Sequence, residues 1–514
     1  MSGLTRRDVL RAAVVAAAGT VAAAAAPASL LRPAAAGTTE HAIALTHVTV
    51  IDATGAPPRH DMTVLVQGQQ IVAVGHRGDI PIPPGAEVLD LPGRFVIPGL
   101  CDMHVHSVHR ERIAPPLYIA NGVTTVREMA GSPLFHQWRD RVESGSLLGP
   151  RWIIGSRIID GAPTIGDPAS FMEVGNEEEA RQAVRQAKRE GADFVKVYSR
   201  LSGEAYRAIA EEARLQRIPF AGHCPDVVPL SHASAAGQRS IEHLFSTFYE
   251  TSTQEADIRR AIADLEIGQG DYTAWLNGIH RLEWTAATSY SDEKAARVFA
   301  RLARNRTRSV PTLTAYRVLD RPDEVARTDE RLKYVPVSVA ADWPLVLEFL
   351  QAGRTVEQAA EWRELFQHRL AFVGALGHAG VPVLAGTDAG DLPYVFPGFS
   401  LHDELAFLVT ARFTPMQALR AATLEPARLL GLERSVGTVE WGKVADLVVL
   451  DADPLADITN TRKIHAVLVR GQLISAEQRT RMLADVEQAA QEETDPSPST
   501  ARRFAGCCDA VTVR

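Results

Sequence analysis

The feature that most constrains the fold is the alternation of short apolar runs with Ala-, Glu- and Arg-rich stretches between residues 97 and 432. The apolar runs have the length of strands, whereas Glu177 to Glu190 and Gly203 to Gln216 are typical of helices. Regular strand–helix alternation predicts an α/β fold, and eight strand candidates are the number that a (β/α)8 TIM barrel requires. These candidates are Phe95 to His106, Val123 to Met129, Trp152 to Ile158, Phe194 to Tyr198, Pro219 to His223, Ser240 to His243, Val310 to Leu313 and Val381 to Asp388.

Strand-like segments also flank this region. Alternating runs separated by Gly, Pro and Asp turns occupy residues 37–96, and similar runs return in 433–480. We expect the two segments to pair into one small β-sandwich side domain, with the barrel of 97–432 inserted between them. Two long connections, Ser246 to Arg308 and Thr314 to Gly380, carry helical patterns and aromatic residues, and we expect them to cover the mouth of the barrel.

The two ends of the chain differ from the rest. Arg6 and Arg7 precede an alanine-rich run from Ala12 to Ala26, which predicts a twin-arginine signal peptide over 1–36 and export to the periplasm or beyond. Gly19 and Thr20 interrupt the run, which therefore makes a poor membrane span, and we expect no stable membrane anchor after cleavage. Residues 481–514 include a polar, Pro- and Ser-rich stretch, and we predict a partly disordered tail.

Composition excludes several classes of protein. The formal net charge is −8, so the chain has no general basic field, and we expect a small-molecule substrate and no nucleic acid partner. Four cysteines in 514 residues are too few for a disulfide framework. A homo-oligomer is left open.

The pattern Asp102-Met103-His104-Val105-His106 closes the first strand candidate. Because side chains alternate between the faces of a strand, His104 and His106 point to the same face, into the barrel. Two adjacent histidines there can chelate one metal ion. Taken alone, the pair is a common pattern and weak evidence.

Lys196 and Tyr198 face the same interior by the same alternation, within Phe194-Val195-Lys196-Val197-Tyr198. A buried ammonium without a partner is unfavourable and loses its proton. A neutral amine can react with carbon dioxide to form a carbamate, an anion able to bridge two cations. The alternative is a lysine that pairs with a carboxylate or reaches solvent at the strand end.

Three more polar residues close later strand candidates: His223, His243 and Asp388. A lone histidine at either of the first two positions is more often structural. Together with the preceding residues they cluster at the carboxyl ends of the predicted barrel strands, where active sites of this fold lie.

The chain resembles the amidohydrolase superfamily, and within it the imidazolonepropionase-related branch of metal-dependent hydrolases. The resemblance covers about Ile43 to Ile474, and its motifs are Gly99 to His106, Gly122 to Arg127, Phe194 to Val197, Gly222 to Cys224, Ile241 to His243, Gly386 to Asp388, Thr414 to Leu419 and Gly437 to Val448. It implies one metal held by His104, His106 and Asp388. A second metal would be held by His223 and His243, with Lys196 as a bridging N6-carboxylysine. Zn2+ is the expected ion, and Mn2+, Co2+ or Ni2+ suit similar ligands.

The resemblance also implies a reaction. A metal-bridging hydroxide would attack an amide carbonyl, and Asp388 would carry the proton to the leaving amine. Tyr198 would donate a hydrogen bond to the developing oxyanion, or else serve only in packing. Members of this branch with the lysine include dipeptidases and carboxypeptidase-like enzymes, so we expect a small peptide or an N-acyl amino acid as substrate. The alternatives are a mononuclear cyclic-amide hydrolase or deaminase, and a non-catalytic exported binding protein.

Overall fold

The structure is a computed structural model that describes residues 42–166 and 171–493. The predicted signal segment, the end of the predicted tail and Cys507 with Cys508 lie outside the described residues. Cys101 and Cys224 are buried and free, as expected for small apolar side chains. No helix within the described residues is long and apolar enough to cross a membrane.

The strands fall into three sheets, numbered here in chain order. They are β1 Ala42–Val50, β2 Arg59–Gln67, β3 Gln70–His76, β4 Glu87–Asp90, β5 Phe95–Pro98, β6 Leu100–Val105, β7 Val123–Glu128, β8 Arg151–Ile154, β9 Ile158–Gly161, β10 Phe171–Val174, β11 Val195–Val197, β12 Phe220–Gly222, β13 Ser240–Glu242, β14 Arg308–Val310, β15 Leu447–Leu450, β16 Ile464–Val469 and β17 Gln472–Ile474.

The largest sheet joins both ends of the described chain. Its eight strands run in the order β17-β16-β15-β5-β1-β2-β3, with β4 beside β1. The contact between the two ends is the antiparallel pair β5–β15, in which Val96 lies opposite Val449. Buried branched side chains from both ends, such as Leu45 and Leu447, share one hydrophobic cluster that stabilises this pairing.

The other two sheets are parallel and form the middle of the chain. One has the order β6-β7-β8 and the other β10-β9-β11-β12-β13-β14. Isolated parallel bridges extend them: Gly155 pairs with Phe194, Ser309 with Val383, and Val105 with Ala389. The α/β class is confirmed.

Four of the predicted strands differ clearly from those observed. The run Trp152 to Ile158 covers the end of β8 and the first residue of β9, and the run Val310 to Leu313 overlaps β14 at Val310 and reaches the first residue of a helix. The run Phe95 to His106 divides at Gly99, whose amide donates to Asp446 while the amide of Leu100 donates to Gly122. The backbone therefore changes sheets at this glycine, where a Cβ atom would lie 2.2 Å from Thr124 Oγ1. The run Val381 to Asp388 makes only isolated bridges, and it ends at Asp388 in the left-handed region with φ 66°.

The helices carry conventional start signals. Glu177–Arg189, for example, begins after Asn176, whose side chain accepts a hydrogen bond from Glu179, and three glutamates fill its first turn. In chain order the helices are Ala114–Ala120, Pro133–Glu143, Glu177–Arg189, Gly203–Gln216, Leu230–Ala235, Glu255–Ala263, Tyr272–Thr288, Asp292–Asn305, Leu313–Asp320, Val337–Leu350, Val356–His378, Phe399–Thr410, Pro415–Ala421, Leu424–Leu430 and Ala476–Glu492. The last of these covers the first part of the predicted tail.

Candidate metal centre

The predicted site residues lie at or just beyond the ends of neighbouring parallel strands. His104 belongs to β6 and His106 follows it by one residue, and Lys196 is the middle residue of β11. His223 and His243 directly follow β12 and β13. Because parallel strands end at the same edge of a sheet, this placement brings the side chains together.

His104, His243 and Asp388 form the tightest group, with one ligand atom from each lying within 4.8 Å of the others. Asp388 Oδ1 lies 3.2 Å from His104 Nε2 and 3.4 Å from His106 Nε2. Burial alone raises the pKa of Asp388, but the two histidines and Lys196 outweigh it, and the net shift is downward. The carboxylate is therefore ionised at neutral pH.

His223 and His243 complete a row of imidazoles. The ring centroids of His104 and His243 are 4.5 Å apart, and those of His223 and His243 are 4.7 Å apart. Burial lowers the pKa of His106 to about 3 and lowers the pKa of His223 and His243 well below the ordinary value. These rings are neutral at physiological pH, the form in which histidine binds metals.

The Nδ1 atoms of three of these rings have partners behind the site. His104 Nδ1 lies 2.9 Å from Glu242 Oε2, His223 Nδ1 lies 2.7 Å from Ser199 Oγ, and His243 Nδ1 lies 2.6 Å from Thr312 Oγ1. With Nδ1 engaged, each ring presents Nε2 to the centre. Metal-binding histidines are commonly held in this way.

Glu242 and Arg127 support the ring of His104, and sequence reasoning did not single them out. Arg127 Nη2 donates to Glu242 Oε1 at 2.7 Å, and its Nε donates to the carbonyl of Met103 at 2.7 Å. Burial would raise the pKa of Glu242, but Arg127 and His104 lower it to about 2. Both residues belong to the family motifs given above, Gly122 to Arg127 and Ile241 to His243. The signal that could have identified them is a charged residue in an otherwise apolar strand run.

The backbone at the site departs from regular strand geometry. His243 and Asp388 have φ of 61° and 66°, and Thr312 has φ of 47°, all in the left-handed region. Such conformations concentrate at functional sites, where the surrounding structure holds them. Gly386 allows a close approach, because a Cβ there would lie 2.5 Å from Val310 Cγ1 and 2.9 Å from His104 Cβ.

Lys196 and Tyr198 lie on the same side of β11 as predicted from the alternation. Lys196 is fully buried, and its Nζ is 5.9 Å from the centroid of the Tyr198 ring. The Tyr198 ring lies 4.0 Å from that of His223. The lysine charge contributes to lowering the pKa of His106, His223 and His243.

A cavity opens onto these residues, which we call the site cavity. His106, Tyr198, His223, His243 and Asp388 contribute to its wall. The other lining residues are mostly apolar or aromatic: Phe245, Tyr272, Ala315, Tyr316, Leu319, Asp391 and Leu392. Tyr272 and Tyr316 come from the two long connections, in agreement with the expectation that these segments cover the site.

The donor set fits a divalent metal. Neutral imidazoles and an ionised carboxylate are ligands that Zn2+ and similar ions prefer. Within the described residues, His104 Nε2 and Asp388 Oδ1 are buried and make no hydrogen bond of normal geometry. A cation between them would satisfy both atoms.

Comparison with known proteins supplies an independent view. Residues 95–474 match the model of the amidohydrolase family. Imidazolonepropionase from Pseudomonas fluorescens strain Pf-5 is 25% identical over 420 residues, which cover 77% of this chain and 89% of that protein. The enzyme of the same name from Pseudomonas entomophila is 25% identical over 422 residues, 78% of this chain and 90% of that protein.

Two solved structures resemble the fold. Bottromycin amidohydrolase is 22% identical with a TM-score of 0.65, covering 88% of this chain and 91% of that one. A Xaa-Pro dipeptidase with bound methionine is 20% identical with a TM-score of 0.62, covering 85% of this chain and 100% of that one. At these identities the likeness concerns the fold alone, and it implies a TIM barrel for the parallel sheets.

The predicted export by the twin-arginine route is wrong by comparison with the imidazolonepropionases. That prediction rested on residues 1–36, which lie outside the described residues. An arginine pair before an alanine-rich run is a short local sequence pattern. It was therefore weaker evidence than the strand-end motifs.

The match extends from β5 to β17, and it includes every strand end that carries a predicted ligand. The chain belongs to the amidohydrolase family and is a metal-binding hydrolase that acts on carbon–nitrogen bonds.

Proposed function

We propose that the protein hydrolyses an amide bond in a small peptide or an N-acyl amino acid at a two-metal centre. One metal ion would be held by His104, His106 and Asp388. The other would be held by His223 and His243, with Lys196 as a bridging N6-carboxylysine. The observation that carries the proposal is the convergence of neutral imidazoles and one ionised carboxylate around a single cavity.

The buried lysine supports two metals over one. Lys196 is 0% exposed in the middle of β11. His223 directly follows the neighbouring strand β12, and His243 follows β13, the next strand along the sheet. An ammonium there would add positive charge beside the imidazoles and oppose cation binding. Conversion to a carbamate replaces that charge with an anion and supplies oxygen ligands, which removes the conflict.

When bound, two divalent cations, Zn2+ by default, supply a water of lowered pKa and polarise the substrate carbonyl. The protein's own groups move the proton and orient the substrate. Asp388 Oδ accepts the proton from the attacking water and delivers it to the nitrogen of the leaving amine. Tyr198 Oη donates a hydrogen bond to the carbonyl oxygen as its negative charge develops.

In the proposed arrangement these groups would lie at the mouth of one barrel. We infer that the two parallel sheets close through the bridges at Gly155–Phe194, Ser309–Val383 and Val105–Ala389. The eight-stranded sheet would then form the side domain of 37–96 and 433–480, beside the barrel of 97–432. Its strands pair across the two segments, which supports this division.

A second candidate is hydrolysis of a cyclic amide at a single metal. The full-length curated relatives named above are imidazolonepropionases, which favours this reading. Only one group of three ligands, His104, His243 and Asp388, is compact within the described residues. Against it stands Lys196, for which a mononuclear site gives no role.

The test is a substrate profile of the metal-loaded protein across dipeptides and N-acyl amino acids, with imidazolonepropionate and simple lactones as comparison substrates. We expect turnover of linear amides, and Asp388→Asn should lower kcat by about 100-fold or more, because it removes the proton carrier. Asp323→Asn is the control, since Asp323 forms a surface pair with Arg363 and neither residue lines the site cavity. Turnover confined to cyclic amides or to esters would contradict the proposal.

A further inference from the structure

A second cavity of about 180 Å³ adjoins the site cavity, and we call it the aromatic chamber. The two cavities share His106, Asp391 and Leu392 as wall residues, so a molecule in the chamber lies beside the metal centre. Six aromatic residues contribute to the chamber wall: Phe135, Phe171, Tyr334, Trp343, Phe396 and Phe399.

The aromatic rings of the wall support one another. The rings of Trp343 and Phe396 lie 5.5 Å apart, and those of Tyr334 and Phe399 are stacked at 5.3 Å. Arg331 lies over the outer side of the wall, with its Cζ 4.5 Å from the centroid of Phe396. A wall already packed in this way needs little reorganisation to bind a ligand, which favours affinity.

Polar groups at the chamber are largely engaged by the protein. Glu128 accepts hydrogen bonds from the backbone amides of Ser107 and Ala130, and Arg110 pairs with Glu493. Burial raises the pKa of Glu128 to about 8, so its carboxyl group is mostly neutral at pH 7. The chamber is therefore suited to an uncharged group.

One polar atom in the wall has no partner. Trp343 Nε1 is buried and finds no hydrogen-bond acceptor within residues 42–166 and 171–493. Because this atom has almost no exposed surface, it does not open onto the chamber. Trp343 lies on the helix Val337–Leu350, in one of the two long connections.

We propose that the aromatic chamber binds a single aromatic ring of the substrate, attached close to the scissile amide. This inference rests on the proposed amide hydrolysis and narrows its substrate class. The volume is sufficient, since a dry apolar cavity of about 150 Å³ binds benzene. Hydrolysis breaks the C–N bond, adds the water oxygen to the carbonyl carbon and a proton to the nitrogen, and yields an acid and an amine. One of the two products carries the ring.

Val339 allows the chamber to be narrowed. It lines the chamber and is 7% exposed, whereas Val337, two residues earlier on the same helix, is 64% exposed and does not line it. Val339→Phe therefore fills the chamber, and Val337→Phe makes the same substitution outside it. Trp343→Ala enlarges the chamber. The preference for substrates with a bulky ring should therefore fall in Val339→Phe and rise in Trp343→Ala.

The experiment compares kcat/KM for N-acetylglycine, N-benzoylglycine, N-naphthoylglycine and N-acetylphenylalanine. We expect the wild type and Val337→Phe to prefer one of the one-ring substrates over N-acetylglycine by at least about tenfold. Val339→Phe should lose most of that preference. If the aromatic ring belongs to the acyl group of the substrate, Trp343→Ala should shift the preference towards N-naphthoylglycine. No preference in the wild type, or a preference that Val339→Phe leaves unchanged, overturns the inference.

A binding measurement separates this inference from the proposed reaction. Benzyl alcohol carries a ring but no carboxylate or amide, so saturation-transfer NMR reports its binding without turnover. We expect binding to the wild type and to Val337→Phe, and its loss in Val339→Phe. If no amide is hydrolysed while this pattern holds, the proposed reaction fails and the chamber stands. If benzyl alcohol does not bind, or Val339→Phe binds it equally well, the chamber assignment fails.

Discussion

His104 Nδ1 lies 2.9 Å from Glu242 Oε2, and neither side chain has any exposed surface. Arg127 binds the other oxygen of Glu242, so a cation, a carboxylate and an imidazole form one buried line behind the proposed centre. This line fixes the orientation of the His104 ring and directs Nε2 towards Asp388. Glu242 therefore acts as a positioning residue.

Replacing Glu242 with Gln should lower metal affinity by about 10- to 100-fold, because the ring loses its charged partner. Competition with a chelator measures the affinity directly. The matched control is Glu212→Gln, on the helix Gly203–Gln216. It removes a buried carboxylate that pairs with Arg185. Equal affinities for the wild type and Glu242→Gln would contradict the positioning role.

Gly386→Ala should reduce kcat/KM by about 100-fold, since a shift of about 1 Å at a reacting group has effects of this size. The added methyl would lie 2.9 Å from His104 Cβ and 3.0 Å from its amide nitrogen, so the backbone that carries His104 must move. Gly203→Ala is the control, because a Cβ atom there has open space. Steady-state kinetics on the best amide substrate measures this effect. A fall in kcat/KM of less than about twofold would refute the packing argument.

The sequence predicted which side chains come together better than it predicted the strands that carry them. Alternation along the strand placed His104 with His106, and Lys196 with Tyr198, because register is a local property. It did not predict the division at Gly99. The amide of Gly99 donates to Asp446, and the amide of the next residue donates to Gly122, so the hydrogen-bonding partner changes here. That change depends on Asp446, over 300 positions away in the sequence, which no local pattern records.

Long-range pairing also explains why Arg127 and Glu242 were not singled out. They are separated by 115 positions, and each alone is a charged residue in an apolar run. The aromatic chamber is a similar case, since its wall combines Phe135 with Trp343 and Phe396. The export prediction was wrong for a different reason: it rested on a short local pattern, the arginine pair before an alanine-rich run.

Arg369→Met should destabilise the protein by about 3–5 kcal/mol, because it leaves two buried carboxylates without their cation. Arg369 is fully buried, and it binds Glu283 and Asp320 at 2.7 Å each. Urea unfolding gives the free energy. Arg363→Met on the same helix removes an exposed pair with Asp323 and should cost about 1 kcal/mol or less. Similar losses in the two variants would contradict this account.

Glu404 should make stability fall as pH rises through the neutral range. Burial raises its pKa from 4.5 to about 8, although it accepts hydrogen bonds from the backbone amides of Leu313 and Thr314. Between these two values the folded state holds a proton that the unfolded state has lost, so each rise in pH favours unfolding.

The expected result for Glu404→Gln is a smaller fall in the urea midpoint between pH 5 and pH 8, measured against the wild type at each pH. The control is Glu364→Gln at an exposed position, and it should follow the wild type. A Glu404→Gln profile parallel to the wild type would show that Glu404 ionises in the folded protein as readily as in the unfolded one.

The most direct test of the two-metal centre is the metal content of the purified, metal-loaded protein, determined by elemental mass spectrometry. The account predicts two divalent ions per chain, held by His104, His106, His223, His243, Asp388 and carboxylated Lys196. Lys196→Ala, measured beside the wild type, should lose at least one of them, because the bridging ligand is gone. One ion per chain in the wild type, or an unchanged content in Lys196→Ala, would contradict the bridged centre.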